Sequence, residues 1–402
     1  MSDKATFRQI VWPFAVAETI IWAAIYYSFP ALLLTWERDF GWSKTELTGA
    51  FTAALIVSAL CAPMVGRLID RGYGRFVFMG GMLLGAALLC ALSQVTEIWQ
   101  FYAVWIGMGA AMSGCLYEPC FAIITRSFGG DAKRAITLVT LVAGLAGTVS
   151  FPSAHALVEM VGWRMTVLVF AAAMVVITGP LLWIGCRAAD RMAEGRAFVP
   201  SHKTRHALRI LKTFTFWALA LSFAMLALHH GMMINHVLPM FDERGIPKEA
   251  AVLAISMFGP MQVAGRLAMM AAERHVSTMV ISAGCFIAVF GASVALLGTS
   301  AMPSLIAIFV LLQGAGNGVV SIVRPVLIAT LLSRKNFGAV SGMAAVAFMA
   351  GTAFGPTFGS LIWEIGGYDL VINLAMAMPA IGLVLLLAAI RCPSSISDDD
   401  PE

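Results

Sequence analysis

The sequence predicts an all-α membrane protein with twelve transmembrane helices arranged as two six-helix bundles. Three observations predict this class: an apolar composition, twelve long apolar segments, and a repeat that relates the two halves of the chain. Of the 402 residues, 60% are hydrophobic and 12% are charged, and the mean hydropathy is +0.86. A water-soluble domain carries about 25% charged residues. Lipid must therefore surround most of the surface.

The apolar segments are long enough to cross a bilayer as helices. About 20 residues are needed, because each rises ~1.5 Å through ~30 Å of hydrocarbon. The runs are continuous rather than alternating, which favours helices over the strands of a barrel. The predicted helices, α1 to α12, cover residues 11–36, 45–69, 76–93, 99–125, 135–161, 165–185, 214–240, 250–270, 279–297, 305–332, 339–362 and 370–390.

The positions of lysine and arginine predict the orientation in the membrane. Most of the 26 basic residues fall in connections on the same side as the two termini. Because basic residues are retained in the cytoplasm, we expect both termini there, in a multi-pass protein of the inner (cytoplasmic) membrane. The net charge of +4 follows from this bias and indicates no nucleic-acid partner.

A polar stretch divides the apolar segments into two sets of six. Residues 187–212 carry seven basic side chains, whereas the other connections are short. The sequence therefore predicts an N-terminal six-helix bundle at 1–187, a cytoplasmic linker at 188–211, a C-terminal six-helix bundle at 212–391 and a cytoplasmic acidic tail at 392–402.

The two halves are related in sequence. Ala146-Gly147-Thr148 in α5 recurs 204 residues later in α11, and the recurring segment ends at Pro356 as the first ends at Pro152. Glycine and proline at these places suit either a bend or close packing of helices. A parallel repeat of this kind places two bundles about an axis along the membrane normal, with the substrate near the midplane.

The segment between α2 and α3 resembles the loop signature of the major facilitator superfamily. Gly66, Asp70, Arg71 and Arg75 stand at its spacings. The resemblance implies a secondary transporter in which these charges form a cytoplasmic latch for the outward-facing state. A loop that only sets orientation could carry the same charges. The corresponding segment after α8 keeps an acid–base pair, Glu273-Arg274, and loses the glycine.

Arg266 in α8 carries a narrower resemblance, to transporters of the monocarboxylate and oxalate–formate type. In those proteins an arginine of this helix contacts the substrate carboxylate. They usually have an aspartate one turn earlier, where this chain has Gln262. Drug–proton antiporters of the superfamily instead have an arginine in α4 at the position of Ala103. The resemblance therefore implies a small organic anion as substrate.

Four charged residues lie clearly inside predicted helices: Glu18, Glu118, Arg266 and Arg324. An ionisable group in hydrocarbon is costly, so each should face a cavity or a partner. We expect the two arginines to bind the substrate and the two glutamates to couple protons. Glu118 and Arg324 lie at similar depth in opposite halves, which predicts an ion pair that is a gate, a substrate site or a static structural contact.

Uncharged polar side chains complete the predicted substrate site. His229 and His230 are adjacent in α7 and point ~100° apart, so only one of them should face the substrate squarely. A buried histidine with satisfied hydrogen bonds is the alternative. The further candidates for orienting the substrate are Tyr26, Tyr117, Gln262 and Asn317.

These observations predict a secondary active transporter that moves a small organic anion, a carboxylate, together with protons by alternating access. The alternative is proton-driven efflux of hydrophobic or cationic compounds, for which Glu18 and Glu118 would form the cation site. A receptor or scaffold built on a transporter fold is a third class.

Several classes of function receive no support from the sequence. It contains no nucleotide-binding loop and no hydrolytic constellation, so neither an enzyme nor a primary pump is expected. The seven cysteines have no metal-ligand spacing, and no cofactor is expected. The expected partners are the substrate, protons and the lipid bilayer, and we expect a monomer.

Overall fold

A computed structural model describes residues 4–128, 132–193, 209–332 and 337–392. Every regular element in those ranges is helical, which confirms the all-α class. The chain divides into two compact units, Met1–Val199 (unit 1) and Pro200–Glu402 (unit 2). Most of the predicted linker and tail, at 194–208 and 393–402, lies outside the described residues. The predicted bounds of those two segments stay predictions.

Unit 1 contains α1 to α6. α1 runs through Lys4–Ile21, a π-helical turn at Trp22–Tyr26, and Ser28–Phe40. α2 is Lys44–Leu68 and α3 is Gly74–Leu92, with a π-helical turn at Ile69–Tyr73 between them. α4 consists of Ile98–Cys115 and Tyr117–Phe128. The stretch Ala146–Ala173 turns at Gly162. α5 consists of Ala132–Ala143 and the part of that stretch before Gly162. α6 consists of the part after Gly162, a π-helical turn at Met174–Thr178, and Gly179–Ala193.

Unit 2 contains α7 to α12. α7 is Phe214–Glu243, α8 is Lys248–Ser256 with Phe258–Ala272, α9 is Thr278–Leu297 and α10 is Leu305–Leu331. The continuous stretch Phe337–Arg391 turns at Gly366 and Gly367, with α11 before the turn and α12 after it.

The lengths of these helices account for twelve membrane spans. Among the described residues, nine helices are long and apolar enough to cross a membrane. Two of them, Arg134–Met192 with 59 residues and Val340–Arg391 with 52, are long enough to cross twice and turn back at their glycines. α4, interrupted at Leu116, is the remaining span. The predicted twelve helices in two six-helix bundles are therefore confirmed.

The repeat is visible in the backbone where α1 and α7 end. Gly41 and Gly245, 204 residues apart, have φ values of 72° and 68°. Glycine adopts this left-handed conformation without steric cost, so both helices stop at the equivalent residue. α2 then begins at a capping box, in which Ser43 and Glu46 exchange backbone-to-side-chain hydrogen bonds.

An acid at the end of α1 fixes the corner of unit 1. Asp39 accepts hydrogen bonds from the indole of Trp163 at 2.7 Å and from Arg164 at 3.1 Å. Arg164 also donates to the backbone carbonyl of Val95, beyond the end of α3. Three helix ends are thereby joined on one side of the unit.

Unit 2 repeats this corner with the ion pair reversed. Glu243 at the end of α7 accepts a hydrogen bond from the indole of Trp363 at 2.9 Å. The arginine now belongs to α7: Arg244 pairs with Asp369 of α12 at 2.8 Å and donates to Leu296 at the end of α9. The basic residue of the ion pair is thus Arg164 in unit 1, just after the α5–α6 turn. In unit 2 it is Arg244, at the end of the first helix.

Glycines bring α11 into backbone contact with α7 inside unit 2. A Cβ atom at Gly355 would lie 2.6 Å from the amide nitrogen of Met232, and one at Gly359 would lie 2.6 Å from the ring of His236. Contacts shorter than 3.0 Å are not tolerated without a shift of the backbone. The sequence left open whether these glycines serve a bend or packing, and in unit 2 they pack α11 on α7.

Candidate functional site

Glu18 is the most deeply buried charged residue of the predicted site. It lies in α1 with 0% exposure, and neither carboxyl oxygen has a hydrogen-bond partner among the described residues. The indole of Trp22 and the thiol of Cys120 lie beside the carboxyl group. Glu118 of α4 is close enough to interact with it electrostatically. The structure therefore brings together the two predicted proton-coupling residues.

The π-helical turn of α1 begins four residues after Glu18. The amide of Tyr27 bonds to the carbonyl of Trp22 at 2.9 Å, one residue further back than in an α-helix. Ala23 loses its α-helical donor, and the hydroxyl of Ser150 in α5 bonds to the Ala23 carbonyl at 2.8 Å. Single π-turns inside α-helices occur frequently at functional sites. No proline or glycine marks this turn, so neither the turn nor Ser150 could be predicted from the sequence.

Aromatic rings follow Glu18 on the same part of unit 1. The ring of Trp22 lies 4.7 Å from that of Tyr117 and 4.9 Å from that of Tyr26. Tyr117 also stacks on Phe121 at 5.0 Å with an interplanar angle of 12°. Trp22, Tyr117 and Phe121 are partly exposed, whereas Tyr26 is 7% exposed and packs against Phe51. Of the two tyrosines predicted to contact substrate, Tyr117 is the accessible one.

The break in α4 explains how Tyr117 and Glu118 are placed. Leu116 is extended, with φ −94° and ψ −160°, and a new helix starts at Tyr117. Glu118 is exposed in the first turn of that helix, where the helix dipole favours an acid. Pro119 next to it lacks an amide hydrogen, which a first turn does not need. Leu116 itself is buried in protein, as non-helical backbone at membrane depth must be.

Arg266 in unit 2 is anchored to a neighbouring helix. It is 7% exposed, and its Nε donates to the backbone carbonyl of Gly318 in α10 at 2.9 Å. A side chain at Gly318 would collide with the backbone of Gln262, so glycine is required where α8 and α10 cross. Gln262 thus contributes its backbone to this crossing, while its side chain is partly exposed one turn from Arg266.

Arg324 lies in α10 and contacts α11. Its guanidinium stacks over the ring of Phe348 at 4.0 Å, a cation–π contact that sequence reasoning missed. Asn317, a predicted substrate residue, donates to the backbone carbonyl of Gln313 in its own helix at 2.9 Å. The side-chain amide of Gln313 is buried, and neither its Nε2 nor its Oε1 has a hydrogen-bond partner among the described residues.

The two histidines of α7 have different surroundings. His229 is 0% exposed, and its Nε2 hydrogen-bonds to the hydroxyl of Ser293 in α9 at 3.0 Å. His230 is partly exposed, and its Nδ1 has no partner among the described residues. His229 is therefore a packed histidine between α7 and α9, whereas the side chain of His230 is partly exposed.

The predicted latch contains contacts that the motif did not indicate. Arg75 pairs with Asp190 of α6 at 3.7 Å and lies 5.3 Å from the ring of Trp183. Arg126 at the end of α4 donates to the carbonyl of Ile69 at 3.2 Å. Together these two arginines tie the α2–α3 connection to α4 and α6. No spacing in the sequence connects Asp190 or Arg126 to the motif.

The remaining latch residues are less engaged. Gly66 is partly exposed in α2, Arg71 is exposed in the π-helical turn, and the Asp70 side chain lies outside the described side chains. Glu273 and Arg274, the predicted second copy, are both exposed after α8. Within the described ranges neither of these two forms an ion pair.

Two proteins of known sequence resemble parts of this chain. A Thermus thermophilus protein described as a probable nitrate/nitrite antiporter is 26% identical over 265 residues, which cover 62% of this chain and 57% of that protein. An uncharacterized MFS-type transporter of Mycobacterium tuberculosis is 28% identical over 133 residues, covering 30% of this chain and 23% of that protein. The chain thus spans about half of the first relative and a quarter of the second.

Solved structures share the fold along nearly the whole chain. A bacterial homolog to the human lysosomal transporter Spinster, in an inward-facing and unoccupied conformation, has a TM-score of 0.73 at 15% identity, covering 98% of this chain and 100% of that one. Its inward-facing and occupied structure has a TM-score of 0.73 at 14% identity, with 97% and 98% covered.

A family model matches most of the chain. The model of the Major Facilitator Superfamily matches residues 14–311, from α1 into α10. The twelve helices and the fold shared with a transporter agree with this match. The chain belongs to the Major Facilitator Superfamily and is a multi-pass membrane protein.

Proposed function

We propose that the chain transports a small organic anion, a carboxylate, together with protons. The observation that supports this most directly is the pair of arginines inside the apolar helices of unit 2. Arg266 is oriented by the Gly318 carbonyl and Arg324 by the Phe348 ring. The positive charge of both residues suits an anionic substrate.

Guanidinium groups are well matched to carboxylates. They offer planar pairs of N–H donors that bind both carboxylate oxygens, which lysine cannot reproduce. We assign the terminal Nη groups of Arg266 to the substrate carboxylate, beside the contact of its Nε with Gly318. The relative described as a probable nitrate/nitrite antiporter adds support for an anion, as does the resemblance to monocarboxylate and oxalate–formate type carriers.

Glu18 and Glu118 are the carboxyl groups that we assign to the proton. A fully buried carboxylate is costly, so the place of Glu18 suits a proton carrier rather than a permanent ion. Uptake of one proton with one monocarboxylate moves no net charge. The predicted pair of Glu118 and Arg324 joins residues of different units and stays a prediction. The cytoplasmic location of both termini and the inner-membrane location are likewise part of the proposal.

A ligand screen tests the substrate class. The purified protein in detergent is heated with monocarboxylates, dicarboxylates, amino acids, sugars and lipophilic cations, and its unfolding temperature is measured. Carboxylates should raise it, since a ligand that binds only the folded protein stabilises it. Ligands that raise the unfolding temperature are then tested for accumulation in proteoliposomes with an inward proton gradient. Stabilisation by cations alone would overturn the proposal.

One observation favours a second candidate, efflux of cationic compounds. In unit 1 two carboxyl groups, Glu18 and Glu118, lie beside aromatic rings, and such rings attract cations. The same screen separates the two functions, because a lipophilic cation such as tetraphenylphosphonium would then stabilise the protein and carboxylates would not.

A further inference from the structure

Unit 1 has a continuous aromatic surface whose role the proposed function does not explain. We call this surface the aromatic shelf. Its four members are all partly exposed: Trp22 and Tyr27 of α1, and Tyr117 and Phe121 of α4. Trp22 touches both tyrosines, with ring centroids 6.3 Å from Tyr27 and 4.7 Å from Tyr117. Phe121 extends the surface by stacking on Tyr117.

The aromatic shelf does not face lipid. Glu118 is exposed and lies three residues before Phe121, so the two side chains share one face of α4. Trp22 stands four residues after Glu18, whose carboxyl group is buried next to the indole. A charged group within a transmembrane helix faces protein or a water-filled cavity, because hydrocarbon cannot solvate it. The rings lie on the same helix faces as these two acids, so they also face protein or a water-filled cavity.

We infer that the aromatic shelf binds the uncharged ring of the substrate, so the substrate is an aromatic monocarboxylate. This rests on the proposed function for the carboxylate. The neighbouring Glu118 would repel an anion, so the carboxylate of the substrate points away from the aromatic shelf and its ring lies against it. Rings pack favourably at centroid distances of ~4.5–7 Å, in offset or edge-to-face geometry.

The shelf is held in place before any substrate arrives. The bond of Ser150 to Ala23 fixes the π-helical turn between Trp22 and Tyr27. The break at Leu116 fixes the start of the helix that carries Tyr117 and Phe121. Rigid rings bind at lower entropic cost than mobile chains, so this surface can discriminate between ligands by shape and by π character.

Two ligands of nearly equal size and equal charge test the inference. Benzoate and cyclohexanecarboxylate share the carboxylate and a six-membered ring, but only benzoate has a π face. Binding to the full-length protein in detergent is measured by titration calorimetry. The parent should bind benzoate about 3- to 10-fold more tightly than cyclohexanecarboxylate. This range corresponds to the free energy that aromatic pairs contribute beyond the burial of apolar surface area. Tyr117→Leu and Phe121→Leu should bring the ratio towards one.

A control and a second measurement keep the test decisive. Phe290→Leu removes a ring exposed on α9 of unit 2 and should leave the ratio unchanged. In the parent, 4-nitrobenzoate should quench tryptophan fluorescence, and Trp22→Phe should lose part of that quenching. This readout needs no substitution of Tyr117 or Phe121.

The outcomes separate this inference from the proposed function. If the parent binds both acids equally, the aromatic shelf does not contact substrate, although the carboxylate proposal stands. If neither acid binds but another carboxylate stabilises the protein in the screen, the inference about the aromatic shelf is wrong and the carboxylate proposal stands. If no carboxylate binds, the proposed function itself is wrong. If tetraphenylphosphonium binds and is weakened by Tyr117→Leu while benzoate does not bind, the shelf belongs to a cation site and both proposals are overturned.

Discussion

The hydroxyl of Ser150 in α5 donates a hydrogen bond to the backbone carbonyl of Ala23, 2.8 Å away, within the π-helical turn of α1. This single contact joins α5 to the part of α1 that follows Glu18. It replaces the donor that Ala23 loses when Tyr27 bonds to Trp22.

Ser150→Ala should therefore destabilise unit 1. A buried carbonyl that loses its donor costs about 1–3 kcal/mol. We expect a lower unfolding temperature in detergent and weaker binding of ligands at the aromatic shelf. Ser153→Ala is the matched control, because Ser153 bonds only within its own helix, to Val149 and Ser150. Equal effects of the two substitutions would show that the turn does not depend on Ser150.

Arg266→Lys and Arg324→Lys should each weaken carboxylate binding by about tenfold or more. Lysine keeps the charge but loses the planar pair of donors, and a hydrogen bond to a charged group contributes ~1.5–3 kcal/mol. Titration calorimetry with the carboxylate found in the screen measures the effect. Arg8→Lys, exposed near the start of α1, is the control. Parent-like affinity in both variants would remove the arginines from the substrate site.

Glu118→Gln and Glu18→Gln should retain substrate binding but lose accumulation driven by a proton gradient. Glutamine keeps the size and polarity of the side chain and cannot carry the proton. Proteoliposomes with an imposed pH gradient report accumulation, and counterflow without a gradient reports binding and exchange. Glu249→Gln, exposed in the first turn of α8, is the control. Full accumulation in both variants would assign coupling to other groups.

Asp70→Asn and Asp190→Asn should slow turnover much more than they weaken binding. A latch changes the populations of conformational states and makes no contact with the ligand. Asp190 is expected to act because it pairs with Arg75. Transport rate and dissociation constant are measured on the same preparations. Parent-like transport by both variants would leave the motif as an orientation signal alone.

Gly355→Ala should destabilise unit 2 by about 1–3 kcal/mol, as overpacking does. The added methyl group would lie 2.6 Å from the amide nitrogen of Met232, at the contact of α11 with α7. Gly342→Ala, also in α11, meets nothing within 4 Å and should stabilise the helix slightly. Thermal unfolding of the two variants side by side checks the contrast. Gly355→Ala should lower the unfolding temperature, and Gly342→Ala should raise it slightly.

The sequence predicted the features that depend on local composition. Apolar length gave the twelve helices, and charge inside those helices drew attention to Glu18 and Arg266. It could not predict contacts that depend on which helix faces which. Ser150 bonds to a residue 127 positions away, and Phe348 lies under Arg324 only because α10 and α11 pack together. His229 and His230 are likewise indistinguishable in sequence, since α9 alone decides which of them is packed.

The reversed ion pairs at the corners of the two units bear on the ancestry of the chain. A duplicated gene begins with identical corners, so Asp39 with Arg164 and Arg244 with Asp369 have diverged from one arrangement. At the offset of 204 residues Asp39 corresponds to Glu243, so the acid at the end of the first helix was kept while its basic partner changed position. In both units an indole bonds to an acid at the same corner, Trp163 to Asp39 and Trp363 to Glu243. This bond to the acid does not depend on the basic residue, so it gives a lineage a folded intermediate while the arginine changes position.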